Sequence, residues 1–293
     1  MHPILFSLPF INQPIHTYGA MIVIGFLLAL NVSKWSAKKL GLYETDVLDF
    51  GFWALIGGLV GARLVYIAVE WQDYFVQHPW TEIALLGVKI PSVLAFWQGG
   101  LVYWGAFLGG FLACAWFTQS RKLPKLLFFD IMVLGVPLAQ AFGRLGCVSA
   151  GCCYGQALGS ENSVGLRFPP GSAAYDTLMN TAPESMKTYM IEHAHTWPLF
   201  PSQLAESFGA LIIFAILVWI ASRKYFHGHV LLTYAVLYSV MRSCLELFRG
   251  DIERGYVIQG VLSTSQFISL CVVLVALVAA FVMRPSGTKT ISP

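Results

Sequence analysis

Residues 126–147 read LLFFDIMVLGVPLAQAFGRLGC, and this stretch decides the fold. Its apolar part, residues 126–142, has about the length that a helix needs to cross the hydrocarbon core of a bilayer. Arg144 follows at the end of the apolar run. A guanidinium at membrane depth costs about 2.5 kcal/mol or more, so Arg144 must face protein, water or an anion.

Two further arginines, Arg63 and Arg242, lie within similar apolar runs. Arginines in such positions predict a cationic pocket inside a membrane protein, and the natural anion at that depth is a lipid phosphate. Other interpretations stay open for two of them. Arg63 follows several small residues and also suits a structural place in a tight helix pair, and Arg144 also suits snorkelling toward the membrane surface.

The composition indicates a membrane protein. The 293 residues are 57% hydrophobic and 11% charged, whereas soluble domains carry about 25% charged residues. The net charge of +3 is modest, so we expect no nucleic-acid partner. The first sixteen residues contain no Lys or Arg, so we expect no signal peptide.

The apolar runs predict an all-α, polytopic membrane protein with about seven transmembrane helices. We expect a single membrane domain, residues 1–293, with a small periplasmic head domain inserted at about residues 146–201. Residues 71–96 are aromatic and amphipathic, which is typical of a segment at the membrane interface. The predicted spans are residues 18–35, 47–69, 101–117, 126–142, 202–222, 230–248 and 264–283.

Basic residues predict the orientation of these spans. With seven spans, four groups of Lys and Arg fall on one side of the membrane, and cytoplasmic loops are the ones rich in these residues. We therefore expect the N-terminus and the head on the outer side and the C-terminus in the cytoplasm. The groups are Lys34, Lys38 and Lys39; Arg121, Lys122 and Lys125; Arg223 and Lys224; and Arg284 and Lys289.

The sixth predicted span carries a polar face. Tyr238, Arg242, Glu246 and Arg249 are spaced i, i+4, i+8 and i+11, which places them on one side of a helix. One interpretation is an internal ion-pair ladder that seals the helix bundle. The other is an anion site in which Glu246 holds an arginine in position, and the sequence leaves both open.

Three of the six cysteines, Cys147, Cys152 and Cys153, follow closely after Arg144. Four interpretations compete: a structural disulfide on the oxidising side of the membrane, a soft-metal site without an obvious fourth ligand, a thiol activated by the adjacent arginine, or inert free thiols. The spacing alone does not decide among them.

At these residues the chain resembles the prolipoprotein diacylglyceryl transferase family of bacteria. The resemblance extends over most of the chain and rests on the order and spacing of short motifs. They are His16-Thr17-Tyr18-Gly19, Gly61-Ala62-Arg63, Trp97-Gln98-Gly99-Gly100-Leu101, Asp130, Gly143-Arg144-Leu145-Gly146, Pro201-Ser202-Gln203-Leu204, and the polar face from Tyr238 to Arg249.

The resemblance implies a reaction and its partners. Such enzymes move the diacylglyceryl group of phosphatidylglycerol onto the lipobox cysteine thiol of a prolipoprotein, forming a thioether and releasing glycerol 1-phosphate. The expected partners are phosphatidylglycerol, a prolipoprotein signal peptide and the lipid bilayer, for a monomer in the bacterial inner membrane. No cofactor and no metal are expected. Two alternatives are a related transferase with another acceptor and a non-catalytic lipid-binding membrane protein.

The same resemblance implies residue roles. Arg144 and Arg242 would bind the phosphate and stabilise its departure, because arginine contacts phosphate oxygens in pairs. Tyr18 and Tyr238 would position the headgroup or the thiol, although Tyr18 also suits an interfacial belt. Gln203 also suits an ordinary helix start. The expected substrate-binding residues are Arg144, Arg63, Glu246, Arg249, Gln203, Tyr103 and Cys152.

The chain departs from the best-known members where the thiol must be activated. Trp104 stands where they carry a His that has been proposed as the base, and Phe200 replaces a second His. Cys147 and Cys152 stand where they have Asn and the Glu of Asn-Gly-Glu. Either the arginine field lowers the pKa of the incoming thiol, or its proton goes to another group: Tyr103, His16 or Cys152.

Overall fold

The structure is a computed structural model that describes residues 4–7, 14–72, 80–83, 88–91, 102–223, 226–250, 255–258 and 262–283. These residues form ten helices and three antiparallel pairs of short strands. The helices are α1 (Thr17–Lys39), α2 (Glu44–Val69), α3 (Tyr103–Ser120), α4 (Lys125–Val133), α5 (Val136–Ala150), α6 (Ala173–Thr181), α7 (Glu184–His193), α8 (Ser202–Ala221), α9 (His229–Glu246) and α10 (Thr264–Met283). The strand pairs are β1 (Ile4–Ser7) with β2 (Pro14–His16), β3 (Trp80–Ile83) with β4 (Val88–Pro91), and β5 (Tyr256–Ile258) with β6 (Leu262–Ser263).

Five helical segments of the described chain are long and apolar enough to cross a membrane. They are α1, α2, α4 continued into α5, α8 and α10. The protein is therefore an α-helical membrane protein, as the composition predicted. Helices α3 and α9 form where the other two spans were predicted, but they are shorter and less apolar, since α3 begins with Tyr103 and Trp104 and α9 carries His229, Arg242 and Glu246. Seven spans therefore stay a prediction.

The chain divides into two compact units, one of residues 37–128 and one of residues 1–36 and 129–293. In the first of these units, glycines bring α2 and α3 together. A Cβ added at Gly61 would overlap Gly105 O and lie 2.8 Å from Gly109 Cα, so the two helix backbones are in direct contact. Close approach through small residues is the usual way in which membrane helices pack.

The larger unit is built around α8, which packs against α5 and α9, while α9 also packs against α10. Val133, Leu134, Ile213, Leu217 and Val230 form its buried apolar cluster. The start of α9 is fixed by a carboxylate from α4. Asp130 accepts hydrogen bonds from Gly228 N at 2.8 Å and from Leu231 N at 2.9 Å, which satisfies backbone donors that a helix start leaves unpaired.

Helix α5 continues past Arg144 to Ala150, about two turns beyond residue 142, where the sequence predicted the end of the span. Gly146 keeps helical geometry, and the helix stops only where Gly151 adopts a left-handed conformation with φ 67°. A residue without a Cβ takes up this conformation at little cost, which makes it a common helix terminator. Residues 146–150, the first of the predicted head insertion, therefore belong to this helix.

The segment from residue 151 to residue 201 is folded. It contains α6 and α7, and Tyr154, Phe168, Ala174 and Leu199 form a small buried cluster within it. Isolated backbone pairings join it together, with Leu199 bridging to both Ala157 and Leu166. The sequence predicted an ordered insertion at this place.

Of the segment predicted to lie at the membrane interface, residues 71–96, the structure describes residues 71–72 and the β3–β4 pair. The motif at residues 97–101 lies outside the described residues.

The contact between α2 and α3 gives a test of the packing. Gly61→Ala forces a methyl group into the α3 backbone, and overpacking of this kind costs about 1–3 kcal/mol. Gly58→Ala is the matched control, because its Cβ would meet only Ala106 O, at 3.4 Å, and Ala favours the helix over Gly. We expect thermal unfolding in detergent to show a lower unfolding temperature for Gly61→Ala and an unchanged one for Gly58→Ala. Equal effects would contradict the packing.

Candidate functional site

Arg144 on α5 is held by a carboxylate from the facing helix α8. Its Nη2 lies 2.8 Å from Oε1 of Glu206, and the two side chains are 22% and 6% exposed. A charge-assisted contact of this length between two largely buried groups fixes the guanidinium far more firmly than a surface ion pair would. Arg144 is thus an oriented cation within the helix bundle.

Arg242 and Glu246 form a second ion pair, one helical turn apart on α9. Arg242 Nη2 lies 3.0 Å from Glu246 Oε2, and the side chains are 17% and 6% exposed. Arg242 Nη1 is buried and has no hydrogen-bond partner among the described residues. Since guanidinium nitrogens only donate, this atom is a donor that an anion can use.

The two ion pairs belong to one polar cluster. Tyr238 and Glu206 each interact electrostatically with both Arg144 and Arg242, and Arg249 acts on Arg242 as a second positive charge. The structure therefore brings the polar face of α9 together with Arg144, which lies about one hundred residues earlier in the chain. Two arginines and their two carboxylates thus meet near one tyrosine in a bundle of apolar helices.

Tyr18 and Gln203 border this cluster. Tyr18 is 42% exposed and packs against α5, since a Cβ added at Gly146 would lie 3.0 Å from its Cδ2. Gln203 is buried and donates from Nε2 to Cys152 O at 2.8 Å. Its Oε1 has no hydrogen-bond partner in the described part of the chain, so this carboxamide keeps an acceptor for another group.

Three thiols lie directly beside Arg144. The sulfur atoms of Cys147, Cys152 and Cys153 are all within 4.8 Å of one another, and the structure holds all three as free cysteines. The left-handed turn at Gly151 reverses the chain, so that Cys152 N donates to Cys147 O at 3.2 Å. Residues that are five and six positions apart thus meet at the end of α5.

The loop that carries Cys152 and Cys153 is tied to two distant segments. Gly155 pairs with Phe200 on one side and with Arg249 on the other. Ser202 Oγ donates to Cys153 O at 2.8 Å. A Cβ added at Gly155 would lie 2.5 Å from Phe200 O, so only glycine permits this approach. The pairing places Arg249 and the thiols at the same end of the bundle.

Cys153 lies beyond the end of α5, next to two other thiols and within the electrostatic reach of two arginines. Hydrogen bonds from the thiols of Cys147 and Cys152 lower the pKa of Cys153 well below its ordinary value, and the charges of Arg144 and Arg249 act in the same direction. Hydrogen bonds with Cys147 and Cys153 hold the proton on the thiol of Cys152, so the pKa of Cys152 is raised. These contacts favour the deprotonated form of Cys153 over that of its two neighbours.

Two residues expected at the site lie in the other unit. Arg63 on α2 is 2% exposed, with its guanidinium carbon 5.8 Å from the centroid of the Tyr66 ring. Tyr103, at the start of α3, is 68% exposed, and the neighbouring Trp104 is 54% exposed.

The sequence did not single out the partner of Arg144. Glu206 follows Pro201, Ser202 and Gln203, a pattern that is typical of an ordinary helix start. The signal that could have identified it is its place in α8, a helix of 20 residues in which it is the one charged residue. An isolated carboxylate in an apolar helix requires a cation, just as Arg144 requires an anion.

Fold and site together define a polytopic α-helical membrane protein with a cationic polar centre bordered by thiols. The sequence model described as prolipoprotein diacylglyceryl transferase matches residues 3–282, and the chain belongs to that family. It is 31% identical over 277 residues to the phosphatidylglycerol--prolipoprotein diacylglyceryl transferase of Clostridium tetani, a match that covers 94% of this chain and 96% of the relative. The protein of the same name from Enterococcus faecalis is 32% identical, covering 92% and 87%, and that of Clostridium perfringens, which is numbered 2, is 30% identical, covering 94% and 93%.

The pair of Arg144 and Glu206 gives a second test. Glu206→Gln keeps the shape of the side chain but leaves a buried guanidinium without its counter-charge, which costs about 3 kcal/mol. Glu184→Gln breaks the pair of Lys187 with Glu184, whose carboxylate is 88% exposed, and should cost less than about 1 kcal/mol. Thermal unfolding in detergent measures both variants. A Glu206 variant as stable as the Glu184 variant would show that the buried pair does not hold the helices.

Proposed function

We propose that this chain transfers the diacylglyceryl group of phosphatidylglycerol to the lipobox cysteine thiol of prolipoproteins. The observation that carries the proposal is the pair of arginines, each tied to its own carboxylate and both interacting electrostatically with Tyr238. Membership of the family and the names of three relatives supply the donor lipid and the acceptor.

The reaction requires fixed cations close to the phosphate group that departs with negative charge. The acceptor sulfur attacks the sp³ carbon of the diacylglyceryl group, a C–S bond forms, and the C–O bond to phosphate breaks with both electrons on the departing glycerol phosphate. Arg144 and Arg242 neutralise that phosphate. Glu206 and Glu246 hold the two guanidinium groups in position, so little reorganisation accompanies the reaction. Donors fixed in this way are most effective in a site from which water is excluded.

The proposal gives the other expected site residues positioning and substrate-binding roles. Tyr238 and Tyr18 position the headgroup or the incoming thiol. The exposed side of Tyr18 fits contact with a lipid substrate that enters from the bilayer. Further substrate contacts are proposed for Arg249, Gln203 and Cys152, and for Arg63 and Tyr103 of the unit formed by residues 37–128.

We further propose a monomer in the bacterial inner membrane, with seven spans, the folded segment of residues 151–201 on the periplasmic side, the N-terminus outside and the C-terminus inside. The support is the distribution of Lys and Arg along the sequence. The five candidate spans and the helical character of α3 and α9 are compatible with it.

The orientation has a direct test. A protease-cleavage tag inserted after Asn162, which is exposed, should be cut when protease is added to intact spheroplasts. Green fluorescent protein fused after Pro293 should fluoresce, because it folds in the cytoplasm. A protected tag, or a fusion without fluorescence at normal expression, would show that the orientation is wrong.

The activity is tested with purified protein, phosphatidylglycerol vesicles and a lipobox peptide, with the thioether product measured by mass spectrometry. We expect Arg144→Lys and Arg242→Lys each to lower the rate about 100-fold or more, since lysine cannot supply the paired contacts of a guanidinium. Arg223→Lys is the matched control, because Arg223 is exposed and stacks on Trp219.

Two outcomes would overturn the proposal. A folded wild-type preparation that forms no thioether would point to another acceptor. Lysine variants that keep the wild-type rate would indicate that the arginines only bind lipid and take no part in the reaction.

A further inference from the structure

The thiol cluster at the end of α5 is not used by the mechanism described so far. We propose that Cys147, Cys152 and Cys153 form a three-thiolate zinc site whose fourth position takes the acceptor thiol. This inference rests on the proposed function and deepens it, because it names the group that activates the nucleophile.

The geometry of the three sulfur atoms fits a metal. Zinc binds thiolates at about 2.3 Å, so three thiolates around one ion are about 3.8–4.0 Å apart. The three sulfur atoms already lie within 4.8 Å of one another. Contraction by about 1 Å or less, which small rotations of the Cys side chains supply, would bring them to bonding distance of a common point.

The donor set selects a soft ion. Sulfur-only sites favour zinc and copper(I) over the hard cations that prefer oxygen. Structural zinc sites use four protein ligands, whereas sites that take part in reactions use three and leave one position open. Among the described residues, the cluster of potential metal ligands contains these three cysteines alone. The three thiols found among the described residues equal the number of protein ligands that such an open site uses.

The surrounding charges fit the same complex. Three thiolates and one Zn²⁺ carry a net charge of −1. Arg144 and Arg249 both act electrostatically on Cys153, and they would offset that charge. Because Arg144 also binds the phosphate of the donor lipid in the proposed reaction, the zinc site would lie next to the donor lipid.

The loop is built to hold these side chains in place. Gln203 and Ser202 bind the carbonyl groups of Cys152 and Cys153. Cys153 has φ 58°, a left-handed conformation that costs a non-glycine residue about 1 kcal/mol or more and persists only where the surroundings impose it. Backbone strain of this kind is common at binding sites, and here it would hold the thiol of Cys153 in the position that a shared metal ion requires.

The site would solve the problem of thiol activation. The acceptor S–H binds at the open position, where a coordinated thiol loses its proton, which passes to water. The sulfur lone pair then forms the C–S bond while the C–O bond to phosphate breaks. The thioether product carries no charge and binds the metal more weakly than a thiolate, so it leaves. No residue need take the role of the His that Trp104 replaces.

The metal is tested first by binding. The full-length protein, purified in detergent under reducing conditions with an affinity tag other than polyhistidine, should contain about one zinc per chain by elemental analysis. After removal of zinc by a chelator, titration with Cd²⁺ should produce thiolate-to-cadmium charge-transfer absorption that saturates at one equivalent. Cys152→Ser and Cys153→Ser should lose this absorption, whereas Cys271→Ser, an exposed cysteine of α10, should keep it.

The role of the metal is tested by the pH profile of thioether formation. With zinc bound, the rate should change little between pH 6.5 and 9, because the acceptor is already a thiolate. In the Cys153→Ser variant, and in the chelated wild type, the rate should rise about tenfold per pH unit up to the ordinary thiol pKa of about 8.5. Added Zn²⁺ should restore the flat profile only to the wild type.

The outcomes separate this inference from the proposed function. Thioether formation by protein that binds neither zinc nor cadmium would overturn the metal site and leave the proposed function intact. Stoichiometric metal without any thioether would overturn the function and the activating role. A Cys147–Cys152 or Cys152–Cys153 disulfide, found by mass spectrometry of protein alkylated in intact cells, would also overturn the site.

Discussion

The contact of Arg144 with Glu206 is the constraint on which the rest of the site depends. Each of these residues lies in an otherwise apolar helix, where a lone charge is costly. Together, 2.8 Å apart, they satisfy one another and fix how α5 faces α8. Ser207 on α8 adds a second link one residue further on, since its hydroxyl donates to Ala141 O of α5 at 3.0 Å. The rotation of both helices about their axes follows from these contacts.

Once α5 and α8 are fixed, the positions of the thiols and of α9 follow. The start of α8 holds the carbonyls of Cys152 and Cys153, and the turn at Gly151 brings these residues back over Cys147. The strand-like residues after the turn then reach Arg249. The cations proposed for the leaving phosphate and the thiols proposed to activate the nucleophile therefore depend on one framework, which matches the needs of a displacement in which both events occur together.

Much of the fold was readable from the chain. The lengths of the apolar runs predicted seven helices, and the structure has a helix at each of these seven places. The prediction works because a segment in lipid must satisfy its own backbone hydrogen bonds. The spacing of Tyr238, Arg242 and Glu246 predicted a shared face, and the structure pairs the last two. The end of α5 was misplaced by about two turns, because a glycine such as Gly146 is compatible with a helix and marks its end only when it adopts a left-handed conformation. The role of Glu206 was missed, because a carboxylate near a helix start is common in any protein.

The class of protein can be inferred from the amino-acid sequence alone, and so can the helices, the arginines that need a counter-charge and the cysteines in place of the usual polar residues. These are local properties of composition, periodicity and position. It takes the folded structure to show which carboxylate meets Arg144, that Arg242 interacts with the same groups, and that three sulfur atoms come within 4.8 Å of one another. The reason is physical: pairing between residues far apart along the chain depends on the rotation and close packing of helices, which many similar apolar sequences would satisfy in different ways.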